Sequence, residues 1–354
     1  MTEIVRKITD LIRTVGVRRR ALRTRKPIIG YIGWSGHGNL GDDAMWEAAR
    51  NTLPNHVLLQ YDAPQREKLL ARFGLSGPRY FRSVILGGGT LISPRFFPPV
   101  VESALDQGIL VWSLGTGVGS SGFEMEPDVD LTDWKRLLSQ IPHLGVRGPR
   151  SLDKLSTLGI SHSVVIGDLA LSLTQGKPQP PTKSFVVNIA ASDQTAKEER
   201  QLFAAVIPTL SRLAAQGWTP IPVAMTDSDI APTERLMRHI TPAPTAVRRL
   251  ATSQEFFEAV SPCAFTMSVR LHGAVLSCCA GVPPIMLGYR DKCLDFMESM
   301  ELEQFYIPWE SITEEMFAEK IAMLEDLPTE IRQEILSRAH IWKDRQEAFI
   351  KSHV

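Results

Sequence analysis

The residues best equipped for chemistry stand where β-rich runs end. Val269-Arg270-Leu271-His272-Gly273 follows a run at 264–269, and Tyr289-Arg290-Asp291-Lys292 follows one at 284–287. If these runs are neighbouring strands of a parallel sheet, their ends lie about 5 Å apart. Arg270, His272 and Lys292 then converge despite 22 residues of separation. Arg147, in Gly145-Val146-Arg147-Gly148-Pro149-Arg150-Ser151, ends a strand of the first half and could face them. Such a set suits a small, highly anionic ligand, because a guanidinium grips carboxylate or phosphate with two parallel bonds. Imidazole titrates near neutral pH, which makes His272 the natural proton donor. Buried cations need anions. The competing reading therefore pairs Arg270 and Lys292 with local carboxylates such as Asp291 and Asp295 and leaves His272 as a satisfied strand-end histidine.

A second group of signals is glycine-rich. Gly36-His37-Gly38-Asn39-Leu40-Gly41 fits the G-x-G-x-x-G dinucleotide fingerprint, with Asp62 21 residues further on. Two features oppose that reading. Gly33, Trp34 and Ser35 separate the strand from the first glycine, and Asp42 and Asp43 place two carboxylates where a pyrophosphate would sit. The loop suits a neutral polyol better, bound by Asn39 and Asp42 with close backbone approach at Gly38 and Gly41. The plain structural alternative is a helix cap by Asp42. Leu86-Gly87-Gly88-Gly89-Thr90 and Leu114-Gly115-Thr116-Gly117 also end strands, so three loops of the first half suggest an open ligand floor that includes Gly88, Gly89 and Thr116.

These loops need a scaffold of alternating strands and helices. Strands are predicted at 28–32, 56–61, 83–86, 109–114, 144–146 and 163–166, with helices at 42–52, 65–73, 99–107, 131–140 and 149–158. A proline-rich stretch at 174–184 breaks the pattern and reads as a linker. The alternation resumes with strands at 185–189, 219–224, 264–269 and 284–287, and helices at 196–216, 253–260 and 273–280. Helices at 313–324 and 329–350 close the chain, the last long enough to reach back over the first domain. The expected fold is α/β: two doubly wound Rossmann-like domains facing each other across a cleft, where ligands bind at the carboxyl ends of the strands. The segments are a basic amphipathic stretch at 1–26, an N-terminal acceptor-side domain at 27–174, a linker at 175–184, a C-terminal donor-side domain at 185–327 and a terminal helix at 328–354.

Composition fixes the class of molecule. Of 354 residues, 44% are hydrophobic and 22% charged, with Lys+Arg 39 balancing Asp+Glu 39. That excludes a disordered chain and gives no overall field for nucleic acid. The charge is uneven: residues 1–26 carry a net +7, leaving −7 for the remainder. Ile4, Ile8, Leu11, Ile12 and Val15 recur at helical spacing, followed by Arg18, Arg19, Arg20, Arg23, Arg25 and Lys26. This segment either lies on an anionic membrane surface or packs on its own domain with a solvated basic face. Cys263, Cys278, Cys279 and Cys293 match no zinc spacing and read as reduced thiols. With no bilayer-spanning run and no secretory signal, the expected location is the cytoplasm, or the inner face of the cell membrane.

Taken in order, Gly38-Asn39-Leu40-Gly41-Asp42-Asp43-Ala44, Gly87-Gly88-Gly89-Thr90-Leu91, Val146-Arg147 with Ser151 and Leu155, Leu158-Gly159-Ile160, Gly167-Asp168-Leu169-Ala170, Arg270-Leu271-His272, and Gly281-Val282-Pro283 with Tyr289 and Lys292 resemble the polysaccharide pyruvyltransferase family, from about residue 28 to about residue 300. The resemblance implies a GT-B-like fold and transfer of pyruvate from phosphoenolpyruvate to two hydroxyls of a sugar as a cyclic ketal, with release of phosphate. It implies that Arg147, Arg270, His272 and the Leu271 backbone hold phosphoenolpyruvate, with Lys292 as the family's lysine. It calls for no cofactor or metal beyond that co-substrate, and for a sugar acceptor that a lipid carrier could present. Gly148 departs from the family by replacing an acidic residue, and Leu169 by replacing a proline. A sugar-nucleotide glycosyltransferase, a NAD-dependent oxidoreductase and a non-catalytic sugar-binding protein of the same fold are the alternatives.

Overall fold

The computed structural model describes residues 2–94, 96–119, 130–190, 196–242, 245–325 and 330–353. The first half runs α1 (Thr2–Arg23), β1 (Ile28–Ile32), α2 (Leu40–Thr52), β2 (Val57–Gln60), α3 (Pro64–Ala71), β3 (Ser83–Leu86), β4 (Gly89–Ile92), α4 (Pro98–Asp106), β5 (Val111–Val118), α5 (Thr132–Leu138), β6 (Leu144–Val146), α6 (Pro149–Thr157) and β7 (Ser163–Val165). Its described strands form one parallel sheet in the order β2-β1-β3-β5-β6-β7, with β4 added beside β5. The second half runs β8 (Ser184–Asn188), α7 (Ala196–Ala215), β9 (Thr219–Ala224), α8 (Ile230–Ile240), β10 (Arg248–Arg249), α9 (Ser253–Val260), β11 (Phe265–Ser268), α10 (Leu271–Cys279), β12 (Pro284–Gly288), α11 (Asp291–Ser299), β13 (Tyr306–Pro308), α12 (Glu314–Glu325) and α13 (Glu330–His353). Its sheet is also parallel, in the order β10-β9-β8-β11-β12-β13. These are two Rossmann-like domains in the GT-B arrangement.

The local causes are ordinary ones. β1, β3, β5, β8, β11 and β12 are buried along their whole length, as strands covered by helices on both faces must be. Proline opens α3, α4 and α6, where its missing N–H costs nothing. The cap of α2 is Asn39, whose Oδ1 accepts the Gly41 N–H at 3.0 Å, and not Asp42. β4 comes from a stretch read as loop because of its glycines. α8 and α11 are two further helices the pattern does not single out: α8 lies between the expected strands at 219–224 and 264–269, and α11 follows the last of them.

Helix α13 ties the two domains together. Gln346 Nε2 donates to the Asp168 carbonyl at 2.8 Å, Phe349 packs against Trp112 with ring centroids 6.3 Å apart, and Trp342 covers Gly167. One apolar cluster therefore runs from Ile29 and Trp112 of the first domain to Val275 and Met286 of the second. Helix α1 is fastened to the first domain by Arg18, which is turned inward rather than lying on a solvated basic face. Its guanidinium meets Glu67 at 2.5 and 2.9 Å and the Leu75 carbonyl at 2.8 Å.

Candidate active site

A cavity of about 250 Å³ lies between the domains. The first domain contributes Asn39 and Asp42 from the start of α2, Gly89–Leu91, and Arg147 just past β6; the second contributes Leu271 and His272 from the start of α10 and Lys292 from the first turn of α11. β11 pairs with β12 in parallel, Thr266 opposite Pro284, which is what brings His272 and Lys292 to the same edge. Trp34, Phe96 and Phe97 form an aromatic wall at one side. Trp34 stacks on His37 with centroids 4.6 Å apart and lies 5.7 Å from Phe96.

Arg147 is 1% exposed, yet its bonds are weak. Nη1 is 3.5 Å from Thr90 Oγ1, and Nε, with no hydrogen bond of its own, is 3.7 Å from Asp295 Oδ2. A buried cation so loosely satisfied carries a desolvation cost that its neighbours offset only in part. Gly117 makes room for it, since a Cβ there would collide with the guanidinium. The His272 ring packs on Gly41, where a Cβ would collide with it, and Nε2 points at Asp168 Oδ1, 3.7 Å away. Burial alone would raise the Asp168 pKa. The nearby charges of His272 and Arg147, with the hydrogen bond from the Ala170 N–H, outweigh it and hold the carboxyl below the ordinary range. Asp42 goes the other way. Burial raises its pKa, opposed by His272 and Lys292, reinforced by Asp43 and opposed again by Arg270.

The family model described as polysaccharide pyruvyl transferase matches residues 39–291, a span that includes Asn39, Asp42, Arg147, Asp168, Arg270 and His272. The chain belongs to the polysaccharide pyruvyl transferase family. No curated protein matches its sequence. Among solved structures it is similar to a UDP-glucosyltransferase from Polygonum tinctorium (12% identity, 93% of this chain and 98% of the other, TM-score 0.56). It is also similar to a protein from Listeria monocytogenes described as a UDP-N-acetylglucosamine 2-epimerase (12% identity, 92% and 96%, TM-score 0.60) and to S. aureus MnaA solved with UDP (10% identity, 88% and 90%, TM-score 0.53). At such identities the likeness shows the fold alone.

Within this family fold the expected site residues divide. Arg147, His272, Lys292, Leu271, Asn39, Asp42 and Gly89 line the cavity. Arg270 does not, and its expected grip on the ligand is corrected. Its Nη2 is 2.6 Å and its Nε 3.1 Å from Oδ1 of fully buried Asp229, and Nη2 also donates to Thr226 Oγ1 at 3.0 Å. Arg270 clamps the β9 corner to the start of α10 and so positions Leu271 and His272. Arg270 thus takes Asp229 in place of the local carboxylates; of these, Asp291 meets Lys154 and Asp295 faces Arg147.

The glycine floor is corrected as well. Gly88 is small because Met45 and Leu169 pack against it, and Thr116 is fully buried with its hydroxyl directed at the Gly89 carbonyl, 3.5 Å away. Gly38 has φ +72° and presents its carbonyl to Arg249 at 2.7 Å, while Gly41 serves the His272 ring. The amides a dinucleotide would need are taken, Gly36 N–H by Asp43 at 2.6 Å and Gly41 N–H by Asn39.

Two contributors escaped the sequence reading, and a third, Asp295, stands beside a different arginine from the one it was read against. Asp168 sat in a quoted motif as a strand-end Gly-Asp, and only the fold sets it against His272. The aromatic wall left a trace in Trp34, Phe96 and Phe97, each beside a glycine or proline turn. Asp295 accepts from Arg150 N and Ser151 Oγ, both at 2.9 Å, in the space that a side chain at Gly148 would fill. The acidic residue missing after Arg147 thus has a counterpart from the opposite domain.

Proposed function

We propose that this protein transfers the pyruvyl group of phosphoenolpyruvate to a sugar of a polysaccharide, or of its lipid-linked precursor, as a cyclic ketal. The observation that carries this reading is the under-satisfied, buried Arg147 in one cavity with the His272–Asp168 pair and Lys292. Phosphoenolpyruvate bears nearly three negative charges at neutral pH, because the second pKa of a phosphate monoester is about 6. Arg147 and Lys292 offset that charge, and His272, with Nε2 3.7 Å from the Asp168 carboxylate, serves as the proton donor. A volume of about 250 Å³ falls below the roughly 300–1,000 Å³ of pockets for drug-sized ligands, in keeping with a small donor.

His272 gives its proton to the methylene carbon, which becomes the methyl group and leaves the adjacent carbon electrophilic. A sugar hydroxyl adds to that carbon and passes its proton to Asp42. The carbon–oxygen bond to phosphate then breaks, with the bonding pair leaving on phosphate and its charge met by Arg147 and Lys292. The second hydroxyl closes the ketal. Asp42 hands the first hydroxyl's proton to the departing phosphate, and the second hydroxyl's proton restores His272, so both side chains return to their starting states. Trp34 and Phe96 offer flat apolar faces to a sugar ring beside Asn39 and Asp42.

The test is phosphate release and acceptor mass gain with phosphoenolpyruvate and a panel of free, nucleotide-linked and lipid-linked sugars. Arg147→Ala and His272→Ala should each lower kcat/KM by about 100-fold or more. Release of a nucleotide instead of phosphate would make the protein a sugar-nucleotide glycosyltransferase. Saccharide binding with no turnover would make it a binding protein of the same fold.

A further inference from the structure

We infer that α1 seats this protein on an anionic lipid surface. The inner side of the helix is spent on its own domain: Arg18 and Ala21 are buried, and Leu11 and Val15 pack against the core. Val5, Ile8 and Ile12 are 57%, 53% and 67% exposed. At 3.6 residues per turn these three fall with Arg19 and Arg23 within a sector about 60° wide. Single exposed aliphatics are unremarkable on a protein surface, but three aligned on one helical face require an apolar partner. Arg13, Arg19, Arg20, Arg23 and Arg25 are also exposed. The segment clamped to α1 by Arg18 repeats the pairing, with Phe73 65% exposed between Arg72 and the Arg79 turn.

An aliphatic face flanked by arginines matches the boundary between acyl chains and acidic headgroups. A nucleic acid would leave the aliphatics without a role, and a second copy would oppose like charges. No described helix is long and apolar enough to cross a membrane, so α1 would lie on the surface rather than span it. A cavity of about 500 Å³ is lined by Asp10, Arg13 and Thr14 of α1 together with Ser35, Gly36 and His37. His37 stacks on Trp34 of the cavity's aromatic wall. The lipid-facing helix and the acceptor side of the cleft therefore share a boundary. Delivery of a lipid-linked sugar across it rests on the proposed function, whereas the seating itself does not.

Co-sedimentation of the full chain with vesicles tests this. Vesicles of phosphatidylcholine and phosphatidylglycerol in equal parts should pellet the protein, and phosphatidylcholine alone should not. Ile8→Asp with Ile12→Asp, and separately Arg19→Glu with Arg23→Glu, should each weaken the binding by at least about tenfold while leaving the Arg18 anchor and the unfolding curve intact. No binding to anionic vesicles overturns the inference, as does binding that the isoleucine pair leaves unchanged. Equal retention on heparin that survives the isoleucine pair would reassign the face to a polyanion, and a dimer dispersed by that pair would reassign it to self-contact. Phosphate release with a water-soluble acceptor should be unchanged in the isoleucine pair. Vesicle failure with intact transfer removes only the seating, and absent transfer with intact seating removes only the proposed reaction.

Discussion

The guanidinium of Arg147 is buried, and its nearest carboxylate, Asp295, lies 3.7 Å from Nε, so its charge is only loosely paired within the protein. Its place was legible: an arginine directly after a short strand was expected at the sheet edge, and the fold sets it on the wall of the cavity. The same reasoning misled at Arg270, because Asp229 lies 41 residues away and only the adjacency of β9, β8 and β11 sets it opposite. Asp42 allows a prediction with a sign. Its folded-state pKa is raised, so between the ordinary carboxylate value and the raised one the folded state holds the extra proton, and stability falls as pH rises through that window. Above it Asp42 is a charged, poorly solvated group. Asp42→Asn should therefore melt higher than the parent at neutral pH, with the gap closing as pH drops below the ordinary carboxylate range. It should also lower kcat about 100-fold. Equal melting curves at both pH values would contradict this account of Asp42.

At the level of elements, periodicity and punctuation located most strands and helices, because a parallel sheet covered on both sides writes itself as apolar runs between glycine and proline turns. They did not locate β4, where glycines that pack under Met45 and Tyr31 looked like a loop. Helix α1 shows the same limit. Its basic cluster was visible, but a one-dimensional pattern cannot say which arginine faces inward. Arg18 does so because Glu67, fully buried on α3, accepts both of its terminal nitrogens as well as the Asp62 N–H and the Ser76 hydroxyl. Removing one partner of such a pair leaves the other charged, buried and uncompensated, at a cost of about 3–5 kcal/mol. Arg18→Ala should lower the urea midpoint accordingly. Arg18→Met with Glu67→Leu should recover much of the loss, since the penalty belongs to the orphaned charge. A double variant as unstable as the single would show that the penalty lies elsewhere.

Across the whole molecule, two domains and a cleft followed from the sequence, but the seam that sets their spacing did not, because its contacts join residues more than a hundred positions apart. Arg150 reaches Glu298 at 2.7 and 2.8 Å, and Asp295 holds Ser151 and the Arg150 amide, so the start of α6 is fastened to α11 immediately beside Arg147. Gly148 has φ −151° and ψ 175°, extended backbone open to any residue, so its glycine serves space and not conformation. The space belongs to the Asp295 carboxylate. It follows that a carboxylate beside Arg147 can come from position 148 or from position 295, but not from both. Gly148→Asp should crowd two like charges together, and Asp295→Gly should orphan Ser151 and free Arg147 to turn. Each should lower kcat/KM for phosphoenolpyruvate. The double variant restores one carboxylate in one space, so it should exceed the additive expectation by a coupling of about 0.5–3 kcal/mol. Measured as a double-mutant cycle under limiting donor, a coupling of zero would mean that Arg147 takes its orientation from Thr90 and Gly117 within its own domain, and that the seam merely holds the domains together.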